Sequence, residues 1–425
     1  MKVLVVGGGG REHAIAWKLA QSPRVDKIYC SPGNAGIAEI AECIDIDISD
    51  HEALLDFVKY DWIDLTITGP EEPLTKGIVD RFEREGRRCM GPVKEAAMLE
   101  ASKVFAKEFM RRYNIPSAEY KAFTSYLHAE EYVRMKGAPI VIKADGLAAG
   151  KGVFVAETVD EAMSALRLIM KEKAFGPAGE RVVVEECLGG EEASYLVFTD
   201  GKTILPMASS QDHKRVYDND EGPNTGGMGA YSPAPVVTPE VEKKIMDRIM
   251  KPAIRGLKKE GIKYKGVLYA GIMLKDGEPY VLEFNCRFGD PETQPLMTRL
   301  DADLLEIALS VTDERLHEAS IGWRPEASVC VVAASGGYPG KYETGKVITG
   351  LDEVKNMKDI VVFHAGTAYE GQDIVTSGGR VLGVTALGSD IREARDRAYE
   401  AIGKIHFEGM HYRKDIAGRA VGAHR

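Results

Sequence analysis

The residues best equipped for chemistry lie in one short run, Tyr280-Val281-Leu282-Glu283-Phe284-Asn285-Cys286-Arg287-Phe288-Gly289-Asp290-Pro291-Glu292. Residues two apart on a strand share a face, so Glu283 and Asn285 point one way while Leu282 and Phe284 are expected to bury the other. A carboxylate and an amide oxygen are hard ligands, suited to a Mg²⁺ that also contacts nucleotide phosphates. Arg287, Asp290 and Glu292 follow on a turn, which makes the run an active-site corner. A second cluster supplies cations. Lys143 sits in the apolar strand 139–144, where a buried cation needs a partner. The loop Asp145-Gly146-Leu147-Ala148-Ala149-Gly150-Lys151-Gly152 then leads into another apolar strand. It departs from a P-loop, because three residues separate its first two glycines and Gly152 stands where Ser or Thr is required. Strands on both sides leave it no helix N-terminus. A glycine-rich flap that closes over nucleotide phosphates, with Lys143 and Lys151 beside it, is the favoured reading.

Other motifs are less decisive. The strand 182–186 runs on to Gly189-Gly190-Glu191-Glu192; a linker here can offer peptide groups to an adenine edge, and Glu192 can accept ribose hydroxyls. Acidic residues after a strand are also simply solvated, and both readings stand. Gly7-Gly8-Gly9-Gly10 ends the first strand. It fails the dinucleotide fingerprint, since Glu12 or His13 occupies the position of the third glycine. Phosphate or sugar contact and tight strand–helix packing remain equal alternatives for it. Residues 211–233 are too polar and glycine-rich for a core element, and long ordered loops of that kind are usually functional. His213 within it suits hydrogen bonding or positioning better than acid–base work.

These motifs need a frame. Over the first hundred residues, strands at 2–6, 27–30, 45–48 and 65–68 alternate with helices, which implies an open parallel sheet with ligands at the strands' carboxyl ends. One helix is expected over 95–113. A small α+β module covers about 122–190, antiparallel strands include 266–275 and 279–285, and a further α+β unit begins near 327. The 425 residues allow several domains. A formal net charge of −10 argues against a general nucleic-acid or anionic-membrane binder. There is no apolar run of membrane-spanning length, and no signal peptide is expected at Met1-Lys2-Val3-Leu4-Val5-Val6. The six scattered cysteines suit reduced thiols in a cytoplasm.

Taken in order, the flap, the linker, the Gln211-Asp212-His213-Lys214 loop and the Glu283–Asn285 corner resemble the ATP-grasp superfamily. Within it the whole chain resembles the phosphoribosylamine–glycine ligase family, through Gly7-Gly8-Gly9-Gly10-Arg11-Glu12-His13, Pro32-Gly33-Asn34-Ala35-Gly36, Gly69-Pro70-Glu71 and Arg287-Phe288-Gly289-Asp290-Pro291-Glu292. The resemblance implies an N-terminal α/β domain (1–101), an ATP-grasp domain (102–327) with a lid at about 122–190, and a C-terminal domain (328–425). It further implies that Lys103, Lys143, Gly150 and Lys151 contact ATP phosphates. Glu185, Glu186 and Leu188 would meet adenine, Glu192 the ribose, and Glu283 with Asn285 would ligate Mg²⁺ or Mn²⁺. Substrate contacts would come from Gly9, Gly10, Glu71, Asp212, Lys214, Arg287, Asp290 and Glu292, with Arg287, Asp290 and Asp212 nearest the chemistry. The implied reaction joins glycine to 5-phosphoribosylamine with ATP, by way of a glycyl phosphate. A cytoplasmic monomer acting on small molecules alone is expected. Another ATP-dependent carboxylate–amine ligase, or a carboxylase of purine metabolism, is the alternative; an NAD-dependent oxidoreductase is the more distant one.

Overall fold

The run Val3-Leu4-Val5-Val6 is apolar at every position, the pattern of a parallel strand covered on both faces. In the computed structural model, which describes residues 1–147 and 152–422, it forms the centre of a five-stranded sheet. The order is Glu42–Cys43, Lys27–Pro32, Lys2–Gly7, Leu65–Thr68, Cys89–Met90, and every neighbouring pair is parallel. The strand expected at 45–48 is instead this short pair at Glu42–Cys43. Leu4 and Val6 pack under the helices His51–Tyr60 and Ile78–Arg84. Val3 and Val5 face a larger core shared with the helices Thr293–Arg299 and Leu304–Thr312 and with the strands Glu191–Thr199 and Gly266–Lys275. The N-terminal sheet is thus fused to the centre of the molecule through one apolar layer.

Two antiparallel sheets follow. The lid has the order Tyr120–Phe123, Val182–Glu186, Ile140–Ala144, Val153–Ala156. The floor has the order Ile204–Pro206, Glu191–Thr199, Gly266–Lys275, Glu278–Asn285. Period-two alternation is clean on Glu191–Thr199: Ala193, Tyr195 and Val197 enter the core beneath the floor, while Leu196 and Phe198 enter the shared one. The helix expected over 95–113 is broken into Lys94–Ala101 and Lys103–Arg112. Ser102 is extended at the break and its hydroxyl caps the second helix at Phe105 N–H.

The C-terminal sheet crosses the expected boundary. Its order is Gln211–Asp212, Gly229–Ser232, Ala327–Ala334, Arg380–Gly388, Ile360–His364, so residues 211–232 leave the middle of the chain to complete it. The polarity of that segment hid four strands, Gln211–Asp212, Gly229–Ser232 and the hairpin Arg215–Tyr217 with Glu221–Asn224; Met228 and Tyr231 are buried among C-terminal residues. The helix Ile391–Ile402 covers one face of this sheet, and Thr293–Arg299, buried at every residue, fills the other. Among the described residues no helix is long and apolar enough to cross a membrane.

The N- and C-terminal units meet at two histidines. His13 Nδ1 accepts the His364 amide at 2.8 Å, and Asn34 Nδ2 donates to the carbonyls of His364 (2.8 Å) and Gly8 (2.9 Å). Burial holds His13 down to about 3 and His364 to about 4. An unfolded chain takes up protons at both near the ordinary value of about 6.5, whereas the fold refuses them. The joint's stabilisation is therefore complete above that pH and is lost as pH falls toward the folded values. His13→Gln keeps an acceptor and removes the proton site, so its denaturation midpoint should fall less than the parent's between about pH 7.5 and pH 5.5. Identical slopes would exclude His13 as a source of the acid sensitivity.

Candidate active site

The lid reaches the floor where Lys143 meets Leu282, and a register break shapes the floor there. Glu283 pairs with Gly271 but Val281 with Ile272, leaving Leu282 as a bulge. The expectation that Leu282 and Phe284 share a buried face therefore fails. Val281 and Phe284 enter the core, while Leu282 joins Tyr280, Ala118, Leu188 and Met273 in a small apolar cluster. The bulged carbonyl of Leu282 accepts Lys143 Nζ at 3.1 Å. Glu283 and Asn285 lie beyond the bulge, two apart on the strand. Burial would push the Glu283 carboxyl up, but Lys214, Lys143, Lys103 and Arg287 together outweigh it and hold it below the usual range. An ionised carboxylate next to an amide oxygen is a suitable half-shell for a hard divalent cation. Among the described residues no group of three or more His, Cys, Asp or Glu side chains could hold a metal unaided, so such an ion would need phosphate or water to complete it.

The lysines come from three directions. Lys103 opens the helix after Ser102, and its Nζ donates to Gly146 O at 2.9 Å. The same helix start is capped from the lid: Asp145 Oδ1 accepts Ser102 Oγ (3.0 Å) and Val104 N–H (3.2 Å), and Asp145 Oδ2 pairs with Arg181 at 2.6 Å. Lys143 Nζ lies 3.0 Å from Glu185 Oε2. Gly150 and Lys151 fall outside the described residues. Glu185 and Glu186 belong to the lid strand rather than to the linker, because Glu185 is paired with Tyr120 on one side and Val141 on the other. Sheet pairing ends at Glu186, so residues 187–190 form the linker, with Leu188 in the apolar cluster. From the floor, Glu192 Oε2 accepts Lys214 Nζ at 2.9 Å. Burial, reinforced by Glu292, Glu192 and Glu283 and opposed by Lys214, pushes the Asp212 carboxyl up to about 8.

At the corner, Arg287 is already engaged. Its Nε donates to Glu71 Oε2 at 3.1 Å, Nη1 to Phe288 O at 3.1 Å and Nη2 to Asn285 Oδ1 at 3.4 Å, while Nη2 pairs with Glu100 at 2.8 Å. Arg287 holds the Glu71 carboxyl down to about 2 against its burial. Both oxygens of Asp290 are also held, Oδ1 by Gln294 Nε2 at 2.9 Å and Oδ2 by Arg380 at 3.1 Å. Arg380 donates further to the carbonyls of Asp290 (2.8 Å) and Gly226 (2.6 Å). Glu292 Oε1 accepts Ser194 Oγ at 2.9 Å and Tyr269 OH at 2.7 Å. Asp290 faces the turn at Gly9 and Gly10, whose missing side chains leave room for it and for Gln294. The Gly9 amide donates to Glu12 Oε2 at 2.7 Å. Glu12 thus places a carboxylate at the helix N-terminus, where a dinucleotide pyrophosphate would otherwise sit.

Lys103, Lys143, Glu192, Lys214, Asp212, Glu283, Asn285, Arg287 and Glu292 are therefore drawn together, with Asp290, Glu71, Gly9 and Gly10 on their N-terminal side. His213 points away, its Nε2 accepting Ala417 N–H at 3.1 Å, as befits a positioning role. Sequence reasoning missed Glu100 and Arg380. Neither sits in a recognisable motif, and Arg380 is 90 residues from the aspartate it holds.

A lid and a floor that enclose lysines above a carboxylate–amide pair define an ATP-grasp enzyme. Comparison with known proteins narrows the class. The N domain of phosphoribosylglycinamide synthetase matches residues 1–100, its ATP-grasp (A) domain 101–293 and its C domain 328–419; the chain belongs to that family. Phosphoribosylamine–glycine ligase of Escherichia coli O6:H1 is 56% identical over 425 residues, covering 99% of each chain. The same-named protein of Caldanaerobacter subterraneus subsp. tengcongensis is 54% identical over 98% of this chain and 99% of its own. The crystal structure of the Thermotoga maritima phosphoribosylamine–glycine ligase superposes with a TM-score of 0.84 at 35% identity, over 98% of this chain and 100% of that one. A biotin carboxylase domain from Hydrogenobacter thermophilus shares the fold at 15% identity (TM-score 0.75, 97% and 91% covered).

The Asp145 cap ties the root of the flap to the helix that carries Lys103. Asp145→Ala should remove a cap of about 1 kcal/mol and speed hydrogen exchange at the Val104 amide, with the amides of Ile391–Ile402 unaffected. Unchanged protection at Val104 would show that the cap contributes nothing.

Proposed function

We infer that ATP binds between lid and floor, with its base near residues 187–190 and the Leu188–Leu282 apolar cluster and its phosphates toward Lys103 and Lys143. The enzyme ligates glycine to 5-phosphoribosylamine in purine biosynthesis at the expense of ATP. The observation that carries the site reading is the convergence of Lys103, Lys143, Lys214 and Arg287 on the ionised Glu283. A carboxylate is a poor electrophile, and activation as a glycyl phosphate makes attack by the amine feasible. Charge on the phosphoryl group in transit is what such a cleft must offset. Lys103 and Lys143 do so from two sides. Glu283 and Asn285 would hold the divalent ion, Mg²⁺ or Mn²⁺, which when bound neutralises phosphate charge.

On the substrate side, Arg287 is a fixed positive centre, braced by Glu71 and Glu100, for the glycine carboxylate or a phosphate. Asp290 and Glu292 offer carboxylates for an ammonium group or sugar hydroxyls, Asp212, which burial favours in its neutral form, suits sugar hydroxyls, and Glu192 with Lys214 closes the ribose end of the nucleotide site. The turn at Gly9 and Gly10 would face the ribose phosphate, with the Gly9 amide already given to Glu12. The proposed domain division is 1–101, 102–327 and 328–425, with 211–232 lent to the C-terminal sheet. A monomer working in the cytoplasm on these small molecules completes the reading.

Phosphate release should require ATP, Mg²⁺, glycine and phosphoribosylamine together and yield a product with the mass of glycinamide ribonucleotide. Glu283→Ala should abolish turnover with the fold intact by circular dichroism; retained turnover would refute its metal role. Lys143→Ala should raise KM for ATP by about tenfold, a loss of about 1.4 kcal/mol, and leave KM for glycine nearly unchanged. Equal effects on both would contradict its assignment to the nucleotide.

A further inference from the structure

Lys107 is a buried cation that this reading leaves without a task. It stands one turn after Lys103 on Lys103–Arg112, and its Nζ lies 2.9 Å from Glu185 Oε2. No hydrogen-bonding partner besides that ion pair reaches it among the described residues. The carboxylate is shared, because Lys143 Nζ lies 3.0 Å from the same oxygen. Side-chain exposures are 2% for Lys107, 2% for Glu185 and 8% for Lys143. Two ammonium groups therefore flank one carboxylate with almost no water to screen them, and the cluster carries an excess positive charge. Burying an ion costs several kcal/mol unless partners repay it, and one lysine would suffice to balance Glu185. Glu283, the other carboxylate near Lys143, is shared with Lys214, Lys103 and Arg287, so the surplus calls for a further anion. Lys143 is the group placed to meet it, since an ammonium has three donors and two are directed at Glu185 and the Leu282 carbonyl.

We propose that Lys107 is a positioning residue for the nucleotide site: it neutralises Glu185 from behind, so that Lys143 keeps its charge for the phosphates of a nucleoside triphosphate. The proposal rests on the assignment of Lys143 to the nucleotide. Without Lys107, Glu185 pairs with Lys143 alone, and the incoming phosphates meet a neutral pair. With neither Lys107 nor the Glu185 charge, Lys143 is again a free cation. A merely structural lysine would not show that reversal.

The test is calorimetric titration of the full-length enzyme with Mg²⁺ and a non-hydrolysable ATP analogue. Lys107→Met should weaken the analogue by about tenfold, with KM for glycine within about twofold. Glu185→Gln alone should bind at least as tightly as the parent, and Lys107→Met/Glu185→Gln should recover to within about threefold of it, a non-additive outcome diagnostic of a shared partner. Parental affinity in Lys107→Met, or a double variant weaker than Lys107→Met, would overturn the proposal. Should Lys107→Met not fold, Glu185→Gln still decides, because weakened binding there is the opposite of what is expected. Lys143→Ala separates the two layers: undiminished affinity in that variant removes the nucleotide assignment itself.

Discussion

A carboxylate away from bulk water stays ionised only if cations surround it, and Glu283 is held charged on those terms. Lys103 comes from a helix start, Lys143 from the lid, Lys214 from the segment lent to the C-terminal sheet and Arg287 from the corner. Each also answers to another anion or carbonyl: Gly146 O, Glu185, Glu192, and Glu71 with Glu100. The cleft is thus a lattice of alternating charges in which each group restrains the next. Such networks are costly when half-satisfied and rigid when complete. Much of the architecture serves to bring these elements within a few ångströms of one another.

The C-terminal unit belongs to that lattice. Thr293–Arg299 is wedged between the N-terminal helix Gly10–Leu19 and the C-terminal sheet, and it carries Gln294, which holds one oxygen of Asp290. Arg380, from the first residue of a C-terminal strand, holds the other. A carboxylate with both oxygens restrained cannot rotate, so its orientation is fixed in advance. That preorganisation is what a ligase needs when two small substrates have to be placed against one activated group.

Much of this was legible in the residues themselves. Continuous apolar runs foretold the parallel sheet and the two strands that flank the glycine loop, and period-two spacing put Glu283 beside Asn285. The failures have physical causes. The bulge at Leu282 adds one residue to a strand whose neighbouring positions, Tyr280 to Phe284, hold no glycine or proline to announce it. Ser102 breaks a helix whose helical propensity is good on both sides, because an Asp145 contact 43 residues away rewards the extended conformation. Polarity concealed the strands at Gln211–Asp212 and Gly229–Ser232, which pair with each other and join the sheet only through Ala327–Ala334, about a hundred residues later. Arg380 and Glu100 act through distant pairings that no local window contains.

The tether between Asp145 and the Ser102–Val104 turn has a consequence for how the enzyme could time its own cycle. Gly146 lends its carbonyl to Lys103, so the end of the lid strand and that ammonium hold one another. A phosphate that draws Lys103 away must loosen that strand end, and a strand end pulled taut must tilt Lys103. By thermodynamic reciprocity the two tendencies are equal in size. The place of the Lys103 ammonium and the place of the Gly146 carbonyl are then a single quantity, seen from opposite ends of one side chain.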